Sequence, residues 1–455
     1  MYKSAQRGVL LGAIIVFGLA GSASAETIEG ALAKAYQNNP QLNALRAAVR
    51  ATDEGVSQAL SGYRPTVSIT GTIGEQFSSS SAPNSTGAVT PRTVGVTANQ
   101  TIFNGFQTSN RTRQAEQQVL SAREGLRVLV LTVLLNAATS YMDVLRDTAN
   151  LEVQRSNVRV LDETLSQTRE RFRVGEVTRT DIAQAEAQLA AGQSAVLTAQ
   201  SALATSRANY RQAIGVEPVN LAPGAPVDRF SPRTLPTAIA QAAVENPNVT
   251  AAMYGIDVAF LQVKINEGAL YPVFAVQASA QQSAMPQLGT ASQFAASVNG
   301  TLMVPIYQGG QEYSLIRQST ETLGQQRLSL DQVKDQTRQQ TIQAWAQMEA
   351  AKAQVRSAQS QVVASEAALN GVRAEARIGE RTTLDVLNAQ QALVNARVAL
   401  VTAQHDRVVA SYAVLAATGR LAPQVLGLPT EVYDPGVHYH QVRDAWIGVH
   451  TPDGQ

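Results

Sequence analysis

Few residues of this 455-residue chain have the types and spacing that chemistry requires. Of four histidines only His405 lies inside the long helical region, while His438-x-His440 and His450 stand near the C-terminus. A His-x-His pair can ligate a metal, but in an irregular tail it reads more simply as solvated. There is no cysteine, which excludes a thiol nucleophile, a thiolate metal site, a disulfide and an acylated N-terminal cysteine. There is neither a Gly-rich phosphate loop nor a His-Glu-x-x-His pattern. The expectation is therefore a non-enzyme without cofactor or metal, whose energy comes from another protein. The polar residues that remain of interest stand at two similar turns, Val174-Gly175-Glu176-Val177-Thr178-Arg179-Thr180-Asp181 and Ile378-Gly379-Glu380-Arg381-Thr382-Thr383-Leu384-Asp385. Gly175 and Gly379 suit a left-handed helix stop, and Asp181 and Asp385 suit a helix start, where free N–H groups and the helix dipole favour a carboxylate.

The elements around these turns must be long helices. After the first turn, Ile182, Leu189, Val196, Leu203 and Tyr210 recur every seven residues, with Ala185, Gly192, Ala199, Ser206 and Ala213 at the alternate 3/4 spacing. This heptad seam pairs large with small side chains, so a neighbouring helix can approach along its whole length. After the second turn the seam recurs as Val386, Leu393, Leu400 and Val414 with Ala389, Ala396, Ala403, Ala410 and Ala417, and only Arg407, opposite Leu203, departs. The two stretches are offset by 204 residues, which marks an internal duplication of a helical hairpin.

The duplication extends upstream. Asn39-Pro40 and Asn246-Pro247, 207 residues apart, each close a short helix and open another that runs to about Leu60 or Gly268. Beyond Pro65 and Pro272 the period changes to two. Val67, Ile69, Gly71 and Ile73 alternate with Thr66, Ser68, Thr70 and Thr72, and Phe274, Val276, Ala278 and Ala280 repeat the pattern. Returning strands follow at Val94, Val96 and Ala98 and at Phe294, Ala296, Val298, Gly300 and Leu302, after a Ser-rich loop from Phe77 to Pro91 in the first copy and a shorter one in the second. Such strands, apolar on one face and small and polar on the other, match a transmembrane barrel wall; a soluble hairpin packed on helices is the competing reading. From Asn104 to Phe172 a proline-free helix would run roughly 100 Å, over three times a hydrocarbon core.

The predicted organisation is a secretory signal over residues 1–25, ending Ala23-Ser24-Ala25, then repeat 1 over 26–217 with its hairpin near 64–103. A Pro-rich linker over 218–236 leads to repeat 2 over 237–428, with a hairpin near 272–305, and an irregular tail over 429–455. Without Lys3 and Arg7 the chain has 34 basic and 35 acidic residues, a balance that gives no reason to expect nucleic acid. The most apolar stretch, Leu126 to Leu145, is interrupted by Arg127, Thr132, Asn136 and Asp143, so a membrane-spanning helix is not expected.

Four strands cannot close a barrel, and an open sheet in lipid would leave two edges of unpaired backbone. Several chains must share one wall; two would supply eight strands and a filled interior, three would supply twelve and a channel. Ser68, Thr70, Thr97, Asn99, Ser279 and Asn299 would face a wet lumen.

The duplicated order of Leu32 to Pro40 and Ile239 to Pro247, of Phe103-Asn104-Gly105 and Tyr307-Gln308-Gly309, and above all the run from Ile378 to Ala389, resembles the TolC family of outer-membrane efflux proteins, from about Glu26 to Leu428. The resemblance implies a mainly α fold with a membrane β-barrel: a homotrimer sharing a twelve-stranded barrel in the outer membrane of a Gram-negative bacterium, with a helical barrel crossing the periplasm. It implies a passive, gated export duct for small molecules or type I secreted proteins. The partners would be outer-membrane lipid, a periplasmic adaptor (membrane fusion protein) and an inner-membrane RND or ABC transporter. Val174, Gly175, Glu176, Ile378, Gly379 and Glu380 would form the adaptor-docking tips. Asp385 would fall on the first position of an aperture ring whose second aspartate is here Asn388, and Arg381, Thr180 and Asp181 would match a latch whose tyrosine is here Ala376. The alternatives are an exported coiled-coil structural or adhesion protein, or the adaptor itself.

Overall fold

The computed structural model describes residues 25–78, 87–285 and 290–452. The signal expected over residues 1–25 lies outside them apart from Ala25, as does most of the Ser-rich loop. The first half runs α1 (Ile28–Asn38), α2 (Pro40–Leu60), β1 (Thr66–Ile73), β2 (Gln76–Ser78), β3 (Gly87–Val89), β4 (Arg92–Asn104), α3 (Gln107–Arg173) and α4 (Arg179–Ile214). The second half gives α5 (Leu235–Glu245), α6 (Pro247–Gly268), β5 (Val273–Met285), β6 (Thr290–Met303), α7 (Gln311–Arg377) and α8 (Thr383–Ala417), followed by α9 (Pro423–Leu426) and α10 (Pro435–Val442). Helices α3 and α7 have 67 residues each, so either is a rod of about 100 Å.

Each Asn-Pro pair performs two tasks. Asn39 Oδ1 accepts from the backbone N–H of Gln41 and Leu42, while its Nδ2 donates to the Ala213 carbonyl at the end of α4. Asn246 caps α6 in the same way and donates to Ala417 O at the end of α8, at 2.9 Å. One side chain thus satisfies an orphan donor at a helix start and an orphan acceptor at another helix end. The close junction beside Asn246 needs Gly419, because a Cβ there would stand 2.6 Å from Glu245 O.

The main core lies at this junction, where α1, the middle of α3 and the ends of α4 and α8 meet around Leu32, Leu134, Tyr141, Tyr210 and Tyr412. Helix α3 holds a stretch long and apolar enough, by length and composition alone, to cross a membrane. Leu126, Leu131, Leu134 and Met142 of that helix are buried in the main core, and burial against protein accounts for their apolarity. The heptad seam of α4 lies on α3 both within the core and beyond it: Ala185, Gly192, Leu203, Ser206 and Tyr210 are buried. In α8 the small positions Ala396, Ala403 and Ala410 are buried likewise.

The strands form one antiparallel sheet in the order β1-β4-β5-β6, with β1 and β6 at its edges, and β2 pairs β3 separately. The register sorts the side chains into rows that cross all four strands. Ser68, Thr97, Ser279 and Ser297 make one polar row, and Thr66, Asn99, Gln277 and Asn299 the next. Val67, Ala98, Ala278 and Val298, then Ile69, Val96, Ala280 and Ala296, make apolar rows on the opposite face. Val67, Ile69, Phe294 and Val298 are exposed, so nothing among the described residues covers this face.

The tail departs from expectation. Pro435 and the capping Asp434 start α10, which lies against α2. His438 is buried and its Nδ1 lies 3.0 Å from Asp53 Oδ2, while His440 is exposed, so the two histidines diverge and the pair is not solvated as a unit. The interior contact with Asp53 replaces the irregular tail with an ordered helix.

Candidate functional site: the hairpin tips

Both hairpins reverse by the same chemistry. At the end of α3 the chain enters the left-handed region at Gly175, φ 82°, and Glu176 N donates to Arg171 O at 2.9 Å. At the end of α7 Gly379, φ 86°, does the same, with Glu380 N donating to Glu375 O at 3.0 Å. A left-handed residue closed by such a bond satisfies the last carbonyls of the incoming helix, and glycine takes that conformation without a Cβ penalty. The next helix starts with a capping box. Thr382 N and Oγ1 donate to Asp385 Oδ2 at 2.9 and 2.8 Å, and Asp385 N donates to Thr382 Oγ1. Thr178 and Asp181 repeat this at 2.8 and 2.7 Å.

These bonds hold both carboxylates charged. The backbone N–H of Thr382, then its hydroxyl, and then Arg381 keep the Asp385 carboxyl below the usual range, and the Thr178 hydroxyl and backbone do so for Asp181. Ion pairs brace each turn: Arg171 with Glu176 and Arg381 with Glu375, both at 3.0 Å. Val174 and Ile378, beside the glycines, are exposed, so each tip presents an apolar side chain next to bare backbone. Thr180 and Asn388 are also exposed, and Asn388 stands one turn beyond Asp385 on the same helix. Ala376 is buried. Among the described residues no hydrogen bond or ion pair joins Arg381 to Thr180 or Asp181; Arg381 is engaged by Glu375 and Asp181 by Thr178.

Between the two hairpins, Leu161 and Leu165 of α3, Ala185 of α4 and Leu387 of α8 form one apolar cluster, flanked by buried Gln390, which donates to Asn157. A polar cleft of about 670 Å³ opens beside it, with Arg159, Arg171, Arg373 and Arg377 facing Glu163 and Glu176.

The sequence pattern of the family described as "Outer membrane efflux protein" matches residues 31–216 and again 238–420, most of both halves. The chain belongs to that family. It is 42% identical to the outer membrane efflux protein BepC of Brucella suis over 98% of this chain and 96% of BepC. It is 26% identical to the alkaline protease secretion protein AprF of Pseudomonas aeruginosa, over 68% of this chain and 65% of AprF. Among solved structures, the CmeC outer membrane channel of Campylobacter jejuni superposes with a TM-score of 0.77 at 14% identity, covering 92% of this chain and 89% of CmeC. Membership of the outer membrane efflux family places the protein in the outer membrane and its work in transport.

This family member also carries a buried charged network that no sequence pattern announced. His405 of α8 is buried, with Nε2 3.0 Å from Asp143 of α3 and Nδ1 2.9 Å from Asp406. Arg146 bridges Asp143 and Asp147, and Asp147 accepts from Ser206 of α4. Arg407, the residue that breaks the α8 seam, pairs with Asp228 of the linker. Burial works against charge on His405, but its two carboxylate neighbours outweigh burial and raise its pKa. The pairs Asp143–His405, Asp147–Ser206 and Asp228–Arg407 join points 59 to 262 residues apart, so only the folded chain brings them together.

Proposed function

We propose that three copies of the chain pool their sheets into a twelve-stranded barrel, continued on the periplasmic side by a tunnel of six hairpins. The observation that carries this is the four-stranded sheet with two open edges, β1 and β6, and an uncovered apolar face. In hydrocarbon, open edges leave backbone N–H and C=O unpaired at several kcal/mol each, so the edges must meet those of sister chains. The polar rows through Ser68 and Asn99 would then line a wet channel and the apolar rows through Val67 and Ile69 would meet lipid. The two halves, 26–217 and 237–428, read as duplicated units joined by the linker.

The duct is passive and gated. At its narrow end the three Asp385 carboxylates converge, repel one another and favour cations, with Asn388 making the ring less charged than a double-aspartate one. Arg381, Thr180 and Asp181 form the latch around this aperture, and Arg381 exchanges Glu375 for a neighbour as the latch opens or shuts. The tips at Val174-Gly175-Glu176 and Ile378-Gly379-Glu380 dock a periplasmic adaptor, which couples the duct to an inner-membrane pump. Cargo is a small molecule or a secreted polypeptide; by name BepC is an efflux protein and AprF a protease secretion protein. The test is purification from outer membranes: a trimer that dissociates only on heating and conducts in planar bilayers supports the reading, whereas a monomer soluble without detergent refutes it.

A further inference from the structure

We infer that the segment after α10, from Arg443 to Val449, is a second membrane anchor: Trp446, Ile447 and Val449 enter the headgroup boundary of the phospholipid leaflet on the helical side of the barrel. This rests on the barrel reading above. Helix α10 is fixed to α2 by the His438–Asp53 contact and by Tyr439 packed against Val56 of α2 and Val119 of α3, so the chain beyond it is carried along α2 toward the start of β1. There Ser57 Oγ and Arg64 Nη1 both donate to the Ala445 carbonyl, at 3.3 and 2.8 Å, and the Arg64 guanidinium stacks over the Trp446 ring at 4.7 Å. Only Pro65 separates Arg64 from Thr66, where β1 begins, so the backbone of Arg64, whose side chain carries the Trp446 ring, lies within about 7 Å of the wall.

At that level the chain leaves Trp446 69%, Ile447 98% and Val449 94% exposed. Three large apolar side chains in four positions, carried on ordered backbone, are not explained by the fold of the chain. Near the strand starts stand Tyr63, two residues before Pro65, and Tyr271, directly before Pro272, and both are exposed. Trp and Tyr concentrate where a membrane meets water, because the ring enters the apolar side while its polar atom stays hydrated. The apolar rows of the wall start at Val67, three residues beyond Arg64, and Arg64 supplies a cation beside Trp446 that suits a lipid phosphate. No cysteine is available to carry an acyl chain, so membrane grip beyond the strands has to come from side chains.

The test uses the full chain reconstituted into phosphatidylethanolamine–phosphatidylglycerol vesicles. The protein has two tryptophans, so Trp345→Phe leaves Trp446 as the sole reporter. Lipids brominated high on the acyl chain should quench most of its emission, and aqueous iodide should quench little. Strong iodide quenching without bromolipid quenching overturns the anchor, and so does shielding from both, which would place Trp446 against protein. A parallel Trp345→Phe/Trp446→Phe/Ile69→Trp chain reports on the wall alone. Loss of bromolipid quenching there overturns the barrel reading, whereas quenching at Ile69→Trp with none at Trp446 overturns only the anchor. Retention of the heat-modifiable oligomer shows that each variant folds.

Discussion

Replacing Gly192 by alanine sets two effects of known size against each other in the seam that joins α3 to α4. A methyl in the middle of a helix gains about 1 kcal/mol over glycine, because the backbone has less freedom to lose. The same Cβ would stand 2.9 Å from Leu161 Cδ1 and 3.3 Å from Val158 Cγ2. Leu161 has no room to retreat, since it is buried among Leu165, Ala185 and Leu387. Overfilling a packed site costs about 1–3 kcal/mol, so the net effect is a loss of about 1 kcal/mol. Amide exchange of the intact protein, read on peptides around residues 158 and 192, should speed about fivefold, as a 1 kcal/mol loss of local stability requires. Gly371→Ala in α7 is the control, for a Cβ there meets nothing within 4 Å. Its exchange should slow by a similar factor. If Gly192→Ala also slowed exchange, the close approach of the two helices, and with it the packing basis of the hairpin, would be wrong.

Asp385→Ala should raise the conductance of the closed state in planar bilayers, and an unchanged conductance counts against a carboxylate aperture. Because hydrogen bonds from Thr382 lower the folded pKa of Asp385, its contribution is present above the unfolded carboxylate value and is lost as pH falls through the lower folded one. The first turn of α8 should therefore keep its exchange protection at mildly acid pH and lose it only below the usual carboxylate range; Thr382→Val should move that loss to higher pH. His405 behaves with the opposite sign: its raised pKa makes its contribution complete below the ordinary histidine value and lost as pH rises through the folded one. Protection between α3 and α8 should thus weaken on raising pH in the natural chain, and His405→Gln should flatten that dependence. Asp53→Ala leaves buried His438 without its hydrogen-bond partner, at a cost of about 1–3 kcal/mol, and should free α10 to proteolysis near Arg443; resistance equal to the natural chain would contradict the clasp.

What could be read from the sequence was whatever repeats. The seam from Ile182 to Tyr210 and its copy, the alternation after Pro65 and Pro272, and the Asn-Pro pairs each recur at a fixed offset, and periodicity is local information. The capping role of Asp181 and Asp385 was legible for the same reason, since Thr178 and Thr382 lie only three residues away. The contacts that escaped are long-range and occur once. Arg407 departs from the seam because its partner Asp228 is distant in sequence, and nothing local marks Asp53, whose partner His438 lies 385 residues further on. The apolar run around Leu134 was undervalued for a related reason: interrupting polar residues such as Asp143 proved to have partners of their own.

The unfinished edges of the sheet also bear on genetics. In the shared three-chain barrel proposed above, a copy whose β6 can no longer pair would still offer a sound β1, enter an assembly with two healthy sisters and leave a gap that none of them can fill. Damage there should behave as a dominant trait in a cell that expresses both versions, whereas a lesion that prevents export of the polypeptide should be recessive, because it removes the faulty copy before it meets the others.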